Sequence, residues 1–410
     1  MKVESMTDNK TISNPDIALS QTIAATQPVE ACAIEDRTDA YFNRTKKIVQ
    51  HYGDKEVIYA IFLRRPVISA PRLVIHWLEN VAKKENIDLT YYLAHPEGEW
   101  VSAGQPILYL RGSFQQLTVL ETILLQKLGA CCVASANAYE MAKLLPNTGF
   151  IAMGARHCAG YEMQELMEYA VWVGSEAAKK EKGVKGFIGT ASNLTGRFFG
   201  QQTGFGTMPH ALIGYAGSTL RAAQMFHEQF PEQPLGVLVD YFGKEITDGL
   251  EVCRNFPELA AEGRITLRLD THGARYLEGL DRQSSYAVIL RHTPSTFQGY
   301  YSEKELVDLV GMGVSAAAIW RMREVLDESG FPNVKIIASS GFNVEKCKII
   351  ATTQAPVDFV GTGSFIPSIW AETYATADIV AYDRVPSIKK GREFLIDYAK
   401  KYVPELKDGD

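Results

Sequence analysis

The chain's 6 cysteines, at 32, 131, 132, 158, 253 and 347, form no CxxC pair. Adjacent Cys131 and Cys132 cannot easily bridge to each other, and no His, Cys and carboxylate spacing matches a zinc site. A redox dithiol and a structural zinc are therefore not expected, and a reduced, cytoplasmic protein fits best. Positive charge is not in excess: 48 acidic residues face 42 basic ones, a formal net charge of -6. That gives no support for a nucleic-acid surface, although a local basic pocket is invisible in the total. No apolar run is read as long enough to span a bilayer, so no membrane partner is expected. The N-terminus lacks a basic region followed by an apolar core, which argues against a secretory signal. What remains is 410 residues, 46% apolar and 22% charged, an ordinary composition for globular domains with a substantial core.

Residues 1–35 are rich in Thr, Ser, Asn, Asp and Gln and are expected to form a disordered or loosely packed arm. Order is expected from Asp36, with Thr38 or Asp39 capping a helix. The run Glu56 to Arg64 reads as a strand, 71–84 and 116–145 as helices, and 97–101 and 106–112 as short strands. Residues 36–147 thus read as an N-terminal α+β domain. From 148 the texture changes. Short apolar strands, at 150–154, 186–190, 235–240, 265–270, 334–339 and 358–361, each end in Gly, Ser, Thr, Asp or His. Helical segments at 161–181, 211–229, 244–255, 303–312 and 315–329 separate most of them. Near-continuous apolar strands alternating with helices imply a parallel sheet covered on both faces. The fold class is α/β: an N-terminal α+β domain, then an irregular, TIM-like α/β barrel over 148–370. Residues 282–302 read as an insertion and 371–410 as a C-terminal helical segment.

Polar residues at the carboxyl ends of barrel strands are where such folds place active sites. Ser339, Ser340 and Gly341 end one strand, and Gly361, Thr362 and Gly363 end the next. Small residues expose backbone N–H groups and hydroxyls add donors, which suits a phosphate. Arg268 and Asp270 share a face of one strand. They make either a structural ion pair or a site in which the arginine meets a phosphate and the carboxylate meets ribose hydroxyls or a metal. Asp240 either orients a histidine, holds Mg²⁺, or caps the next helix. Arg156 reads either as a surface arginine or as a candidate for anion binding, and Thr190 and Ser192 either belong to a polar turn or offer hydroxyls to a ligand after the second strand. His210 lies in Gly204-Phe205-Gly206-Thr207-Met208-Pro209-His210, a stiff loop of glycines and a proline. Its ring is a candidate phosphoryl nucleophile or general base. His157 and His272 are weaker candidates of the same kind.

Taken in order, these motifs resemble the nicotinate phosphoribosyltransferases, and most closely the shorter, archaeal-type members. The resemblance covers roughly residues 36–400. It rests on Thr38-Asp39-Ala40-Tyr41-Phe42, Leu120-Glu121-Thr122, Gly154-Ala155-Arg156 and Gly189-Thr190-Ala191-Ser192-Asn193. It continues through Gly206-Thr207-Met208-Pro209-His210, Leu267-Arg268-Leu269-Asp270, Ser340-Gly341-Phe342-Asn343 and Gly361-Thr362-Gly363.

The resemblance implies an enzyme of NAD salvage that joins nicotinate to phosphoribosyl pyrophosphate, giving nicotinate mononucleotide and pyrophosphate. It implies a homodimer with active sites at the interface, in which Tyr41 stacks on the pyridine ring bound by the partner subunit. It further implies Mg²⁺, ATP as co-substrate and transient phosphorylation of His210. Asp240 and Asp270 are then catalytic and metal-binding, Arg268 and Arg156 substrate-binding, and the two late loops hold the 5'-phosphate. Nicotinamide-specific relatives carry an aspartate where this chain has Ala191, which favours the acid over the amide. The chain departs from the family's pattern at Met153, where an aromatic residue stacks on the ring, at His157, where a second arginine is usual, and at Pro209. A related enzyme acting on nicotinamide or another pyridine, or a catalytically silent nucleotide sensor, is the alternative.

Overall fold

The computed structural model describes residues 32–206, 208–368 and 375–406. Residues 1–31 of the expected arm, Thr207 of the histidine loop, and the tail residues 369–374 and 407–410 lie outside the described residues. The chain divides into two compact units, one of residues 1–55 and 113–123 and one of 56–112 and 124–410. The segment 36–147 therefore does not form one body.

The smaller unit is helical, with helices Ile34–Arg37, Ala40–Tyr52 and Phe114–Leu117. Asp39 is the N-cap of the second, but its side chain makes no cap bond. Its carboxylate instead accepts from the Thr122 hydroxyl at 3.0 Å, and that hydroxyl accepts from the Asp39 N–H at 3.2 Å. The Thr38 hydroxyl joins Thr122 at 3.1 Å. Two motifs separated by eighty residues of sequence are thus one hydrogen-bonded cluster.

The larger unit holds two main sheets. The first is antiparallel, with order β13-β12-β1-β5-β3. It comprises β1 (Glu56–Leu63), β3 (Leu89–Leu93), β5 (Pro106–Ser113), β12 (Ala375–Tyr382) and β13 (Val385–Pro386), while β2 (Val67–Ile68) and β4 (Trp100–Val101) pair with each other separately. The tail after 374 therefore opens as strand rather than helix, and β12 lies against β1 with Val57 facing Tyr382 and Leu63 facing Ala375. Alanines at 375, 377 and 381 give this stretch a helical composition. Its Thr, Ile, Val and Tyr residues settle on β1, whose side chains from Val57 to Leu63 are all buried, because pairing there buries both strands. Helix Phe394–Tyr402 closes the core over Ile58, Phe62, Tyr109 and Val380.

The second sheet is parallel and six-stranded, in the order β7-β6-β11-β10-β9-β8. Its strands are β6 (Gly149–Ala152), β7 (Phe187–Thr190), β8 (Leu235–Leu238), β9 (Ile265–Leu269), β10 (Lys335–Ala338) and β11 (Phe359–Thr362). Every strand foreseen between 148 and 361 is present. The sheet curves as an irregular barrel whose end strands β7 and β8 are not paired. The loop after β7 folds along that gap: the Phe205 N–H donates to the Thr190 carbonyl at 2.7 Å, and the Gly204 N–H to Asn193 Oδ1 at 2.8 Å. Gly204 has no room for a side chain, since a Cβ there would lie 2.6 Å from the Ala191 carbonyl carbon.

Helices cover the outside. The expected helix 211–229 is two, His210–Ala216 and Thr219–Gln229, broken at Gly217, whose φ of +77° ends the first, while the Ser218 hydroxyl caps the second. Residues 282–302 are not an extraneous insertion. They hold helix Arg282–His292, opened by an Asp281–Ser284 capping box. Arg291 grips Glu324 at 2.7 Å and His292 stacks on Trp320 with ring centroids 3.8 Å apart, which fixes this helix to Ala316–Glu328. One helical run, Phe114–Leu144, does have the length and composition to cross a bilayer, contrary to expectation, but 67% of its most apolar window is buried inside the protein. Within the larger unit it packs on helix Tyr161–Lys182, with the Ser135 hydroxyl donating to the Ala170 carbonyl at 3.0 Å.

Candidate active site at the carboxyl ends of the barrel strands

The strand ends converge on a cavity of about 440 Å³. Met153, Arg156, His157, His210, Asp240, Arg268, Asp270 and His272 line it, together with Ser339–Phe342 and Gly361–Ser364. Residues from six separate loops thus meet in one place, because parallel strands deliver all their carboxyl ends to the same face.

His210 opens helix His210–Ala216, and Pro209 before it holds an extended conformation. Its Nε2 lies 3.0 and 3.1 Å from the two Asp240 carboxylate oxygens. Of the three roles open to Asp240, the helix cap is excluded, since Lys244 is the N-cap residue of the next helix. The carboxylate orients the imidazole. The contact is through Nε2, so the carboxylate holds the ring by that edge. Burial pushes the Asp240 carboxyl up, His210 opposes the shift, and nearby Asp270 adds to it.

Asp240 is held from behind. Arg275 donates to its carbonyl at 2.9 Å and pairs with Glu245 at 2.5 Å. Glu245 is fully buried and also accepts from the Thr271 hydroxyl at 2.8 Å. This carboxylate therefore ties the loop after β8 to the loop after β9, a link that only the folded chain reveals.

Arg268 and Asp270 do form an ion pair, at 3.3 Å, and both also border the cavity. The Arg268 Nε donates to the Ser339 hydroxyl at 2.9 Å, and that hydroxyl lies 2.9 Å from Asp270. Burial lowers the Arg268 pKa while Asp270 and Asp240 oppose the shift. A guanidinium held by one carboxylate and a serine is preorganised to meet an anion.

The loop after β10 turns sharply. Ser340 and Gly341 have φ of +76° and +70°, in the left-handed region found in turns of the kind that form anion nests. Lys346, in the first turn of helix Val344–Thr352, fixes this shape: its ammonium donates to the Ser340 carbonyl at 2.9 Å. The residue is only 6% exposed, with Asp308 at 3.9 Å. Burial lowers its pKa and Asp308 opposes this. Lys346→Met is expected to weaken binding of a phosphate monoester at this loop about tenfold, as loss of a charged hydrogen bond implies. Isothermal titration of the variant with ribose 5-phosphate checks this, and unchanged affinity would refute the role.

The loop after β11 differs in character. The Thr362 hydroxyl is spent on the Phe342 carbonyl at 3.1 Å, joining the two late loops rather than facing a ligand. Gly361 and Gly363 are required partly by packing. A Cβ on Gly361 would meet Met153 Sδ at 2.8 Å, and one on Gly363 would meet the Met153 carbonyl at 2.5 Å.

Thr190 and Ser192 are not in the lining. Thr190 is fully buried, and its hydroxyl donates to Glu168 at 2.5 Å, which Thr195 also reaches. Burial raises the Glu168 pKa, and the hydroxyl donors oppose it. Thr190 thus anchors the loop that carries Ala191 and Ser192. Tyr41 belongs to the smaller unit, where it is 57% exposed and its hydroxyl donates to Asp39 at 3.1 Å. Among the described residues no group of three or more His, Cys, Asp and Glu side chains could hold a metal ion.

No protein-family model matches the chain, and no curated protein matches it by sequence. Solved structures do. The nicotinate-nucleotide pyrophosphorylase of Pyrococcus furiosus aligns with 90% of this chain and 80% of its own, at 24% identity and a TM-score of 0.67. This chain has that fold. The human nicotinic acid phosphoribosyltransferase aligns with 86% of this chain and 76% of its own, at 16% identity and a TM-score of 0.54. The nicotinate-nucleotide pyrophosphorylase of Ehrlichia chaffeensis aligns with 90% and 100%, at 13% identity and a TM-score of 0.54. The shared architecture is the α/β arrangement of antiparallel sheet and irregular barrel described above, and the carboxyl-end cavity is a feature of this chain's own residues.

Proposed function

We propose that the protein is a nicotinate phosphoribosyltransferase, joining nicotinate to phosphoribosyl pyrophosphate to give nicotinate mononucleotide and pyrophosphate. The observation that carries this reading is the meeting, in one cavity, of the His210–Asp240 pair, the Arg268–Asp270 pair and the Ser340–Gly341 turn. C–N bond formation at the anomeric carbon develops positive charge on the ribosyl ring and negative charge on the departing pyrophosphate. Arg268 and Arg156 offer cations to the anion, and Asp270 a carboxylate to the ribose side. A turn of that kind suits the 5'-phosphate. Asp240 and Asp270 are near enough for each to influence the other's field. Two carboxylates suffice for Mg²⁺, which binds through one or two of them together with substrate phosphates. When bound, that ion would neutralise charge on the leaving pyrophosphate.

Selection of the acid over the amide rests on Ala191, exposed after the Thr190 anchor, where a carboxylate would repel nicotinate. A pyridine dicarboxylate would call for more cationic partners than Arg156 and Arg268. A dimer is supported by exposed apolar residues on the segments that follow the barrel strands, among them Tyr161 at 56% and Tyr215 at 79% on helices and Phe242 at 44% in a turn. A second copy covering them is what the family resemblance implies. Cys131, Cys132, Cys158, Cys253 and Cys347 are thiols, in keeping with a reducing cytoplasm.

The test is a product assay with phosphoribosyl pyrophosphate and, in turn, nicotinate, nicotinamide and pyridine-2,3-dicarboxylate, each with and without ATP. Mononucleotide from nicotinate is expected. Product only from another pyridine would move the chain to a sister activity, and ligand binding without pyrophosphate release would make it a sensor.

ATP assistance has its own readout. With Nε2 held by Asp240, the other ring nitrogen of His210, Nδ1, is the nucleophile toward a γ-phosphoryl group. Incubation with γ-labelled ATP is expected to give an acid-labile phosphoprotein, lost in His210→Ala. Label that survives in the variant would remove this role from His210.

A further inference from the structure

A barrel interior is normally filled by layers of large side chains, and protein interiors hold few voids larger than a water molecule. The described residues do not fill this barrel. A second cavity, of about 740 Å³, runs down its inside. Inward-facing Ile151, Ile188, Thr266, Ile337 and Phe359 line it with Phe205 from the loop after β7, and Glu262, Arg264 and Lys335 line it at the amino ends of β9 and β10. Gly236 contributes no side chain, and Ile188, Thr266 and Phe359 are incompletely buried although they line the barrel interior. The volume is that of a small-molecule pocket, not a packing fault. Its lining also includes Gln201, whose buried Oε1 accepts no hydrogen bond.

Met153 is the one residue common to the linings of this cavity and of the polar cavity above it. Its thioether lies across Gly361, where a Cβ would be 2.8 Å from the sulfur. Methionine is unbranched and turns about several bonds, so it yields without movement of the main chain. A pyridine acid in the polar cavity must aim its ring nitrogen at the anomeric carbon. Substituents on the ring edge away from that nitrogen then have one apolar direction open to them, past Met153.

We propose that the acceptor site continues past Met153 into the barrel, and that it takes pyridine carboxylic acids bearing an apolar substituent directed away from the reacting nitrogen. The inference rests on the reading of the polar cavity as the transferase site. The apolar group lies against Ile151, Ile188, Ile337 and Phe359, and an N–H or O–H on it would satisfy Gln201.

The experiment compares pyrophosphate release with pyridine-3-carboxylate and with 5-phenylpyridine-3-carboxylate. It uses the full-length wild type and the variants Ile188→Trp and Thr266→Phe. These two variants narrow the inner cavity from opposite strands and do not border the polar one. The wild type is expected to use the phenyl acid with kcat/KM within about tenfold of the parent acid, and each variant to lose about tenfold or more on the phenyl acid alone. Turnover of the parent acid without turnover of the phenyl acid overturns the extended site and leaves the transferase reading standing. Turnover of neither overturns both. Equal losses on both substrates in both variants also overturn the extended site, because filling the barrel would then act on the fold rather than on the ligand.

Discussion

Arg268→Met is expected to lower kcat/KM for phosphoribosyl pyrophosphate about 10²–10³-fold, the range seen when one preorganised donor to a developing charge is removed. The side chain is held on three sides, by Ser339 at 2.9 Å, by Asp270 at 3.3 Å and by the β9 strand that carries it. A guanidinium so constrained pays little reorganisation as the pyrophosphate leaves. Methionine keeps the length of the stem but returns no donor, so Asp270 and Asp240 would face the leaving anion without the guanidinium between them. The loss should fall on kcat as well as KM, since the charge grows in the transition state. Steady-state kinetics with pyrophosphate release as the readout decides it, with circular dichroism to show that the variant is folded. Activity within tenfold of the parent would mean that Arg268 serves the ion pair and not the reaction.

The second large effect concerns stability. At Gly174 the helices 121–144 and 161–182 approach so closely that a Cβ would lie 2.1 Å from the Ser135 carbonyl oxygen and 2.9 Å from its carbon. Both are main-chain atoms, and each helix is buried along this face, so neither can step aside as a flexible side chain would. Gly174→Val should destabilise the larger unit by about 3–5 kcal/mol, at the upper end for overpacked cores. A fall in the denaturation midpoint, or failure to accumulate as folded protein, is the expected readout. Gly206→Ala is the control, because a Cβ there meets nothing within 4 Å. A Gly174 variant as stable as that control would show that the helices part freely.

Much of the site was legible in the sequence because barrel chemistry sits at strand ends, and strand ends are marked by composition. Asp270 and the run Ser339–Gly341 directly follow apolar strands, Arg268 lies within one, and all of them border the cavity. Thr190 follows such a run as well, yet its hydroxyl turns inward to Glu168. The difference lies in a buried carboxylate on a helix twenty-two residues earlier, which nothing near Thr190 announces. Lys346 and Glu245 were missed for the same reason. On a helix, a charged residue reads as a solvated face until the tertiary contacts show it buried and hydrogen-bonded.

By itself the sequence determined the alternation of short apolar strands and helices, and with it a parallel sheet with polar residues at one end. Local periodicity suffices for that, since each strand and helix is specified within a dozen residues. Only the tertiary structure decided that the tail returns as β12 beside β1, that β7 and β8 leave the barrel unclosed, and that Asp240 serves His210 rather than a helix end. Those outcomes depend on which distant surfaces bury each other best. That is a property of the whole packed chain, and no window of sequence carries it.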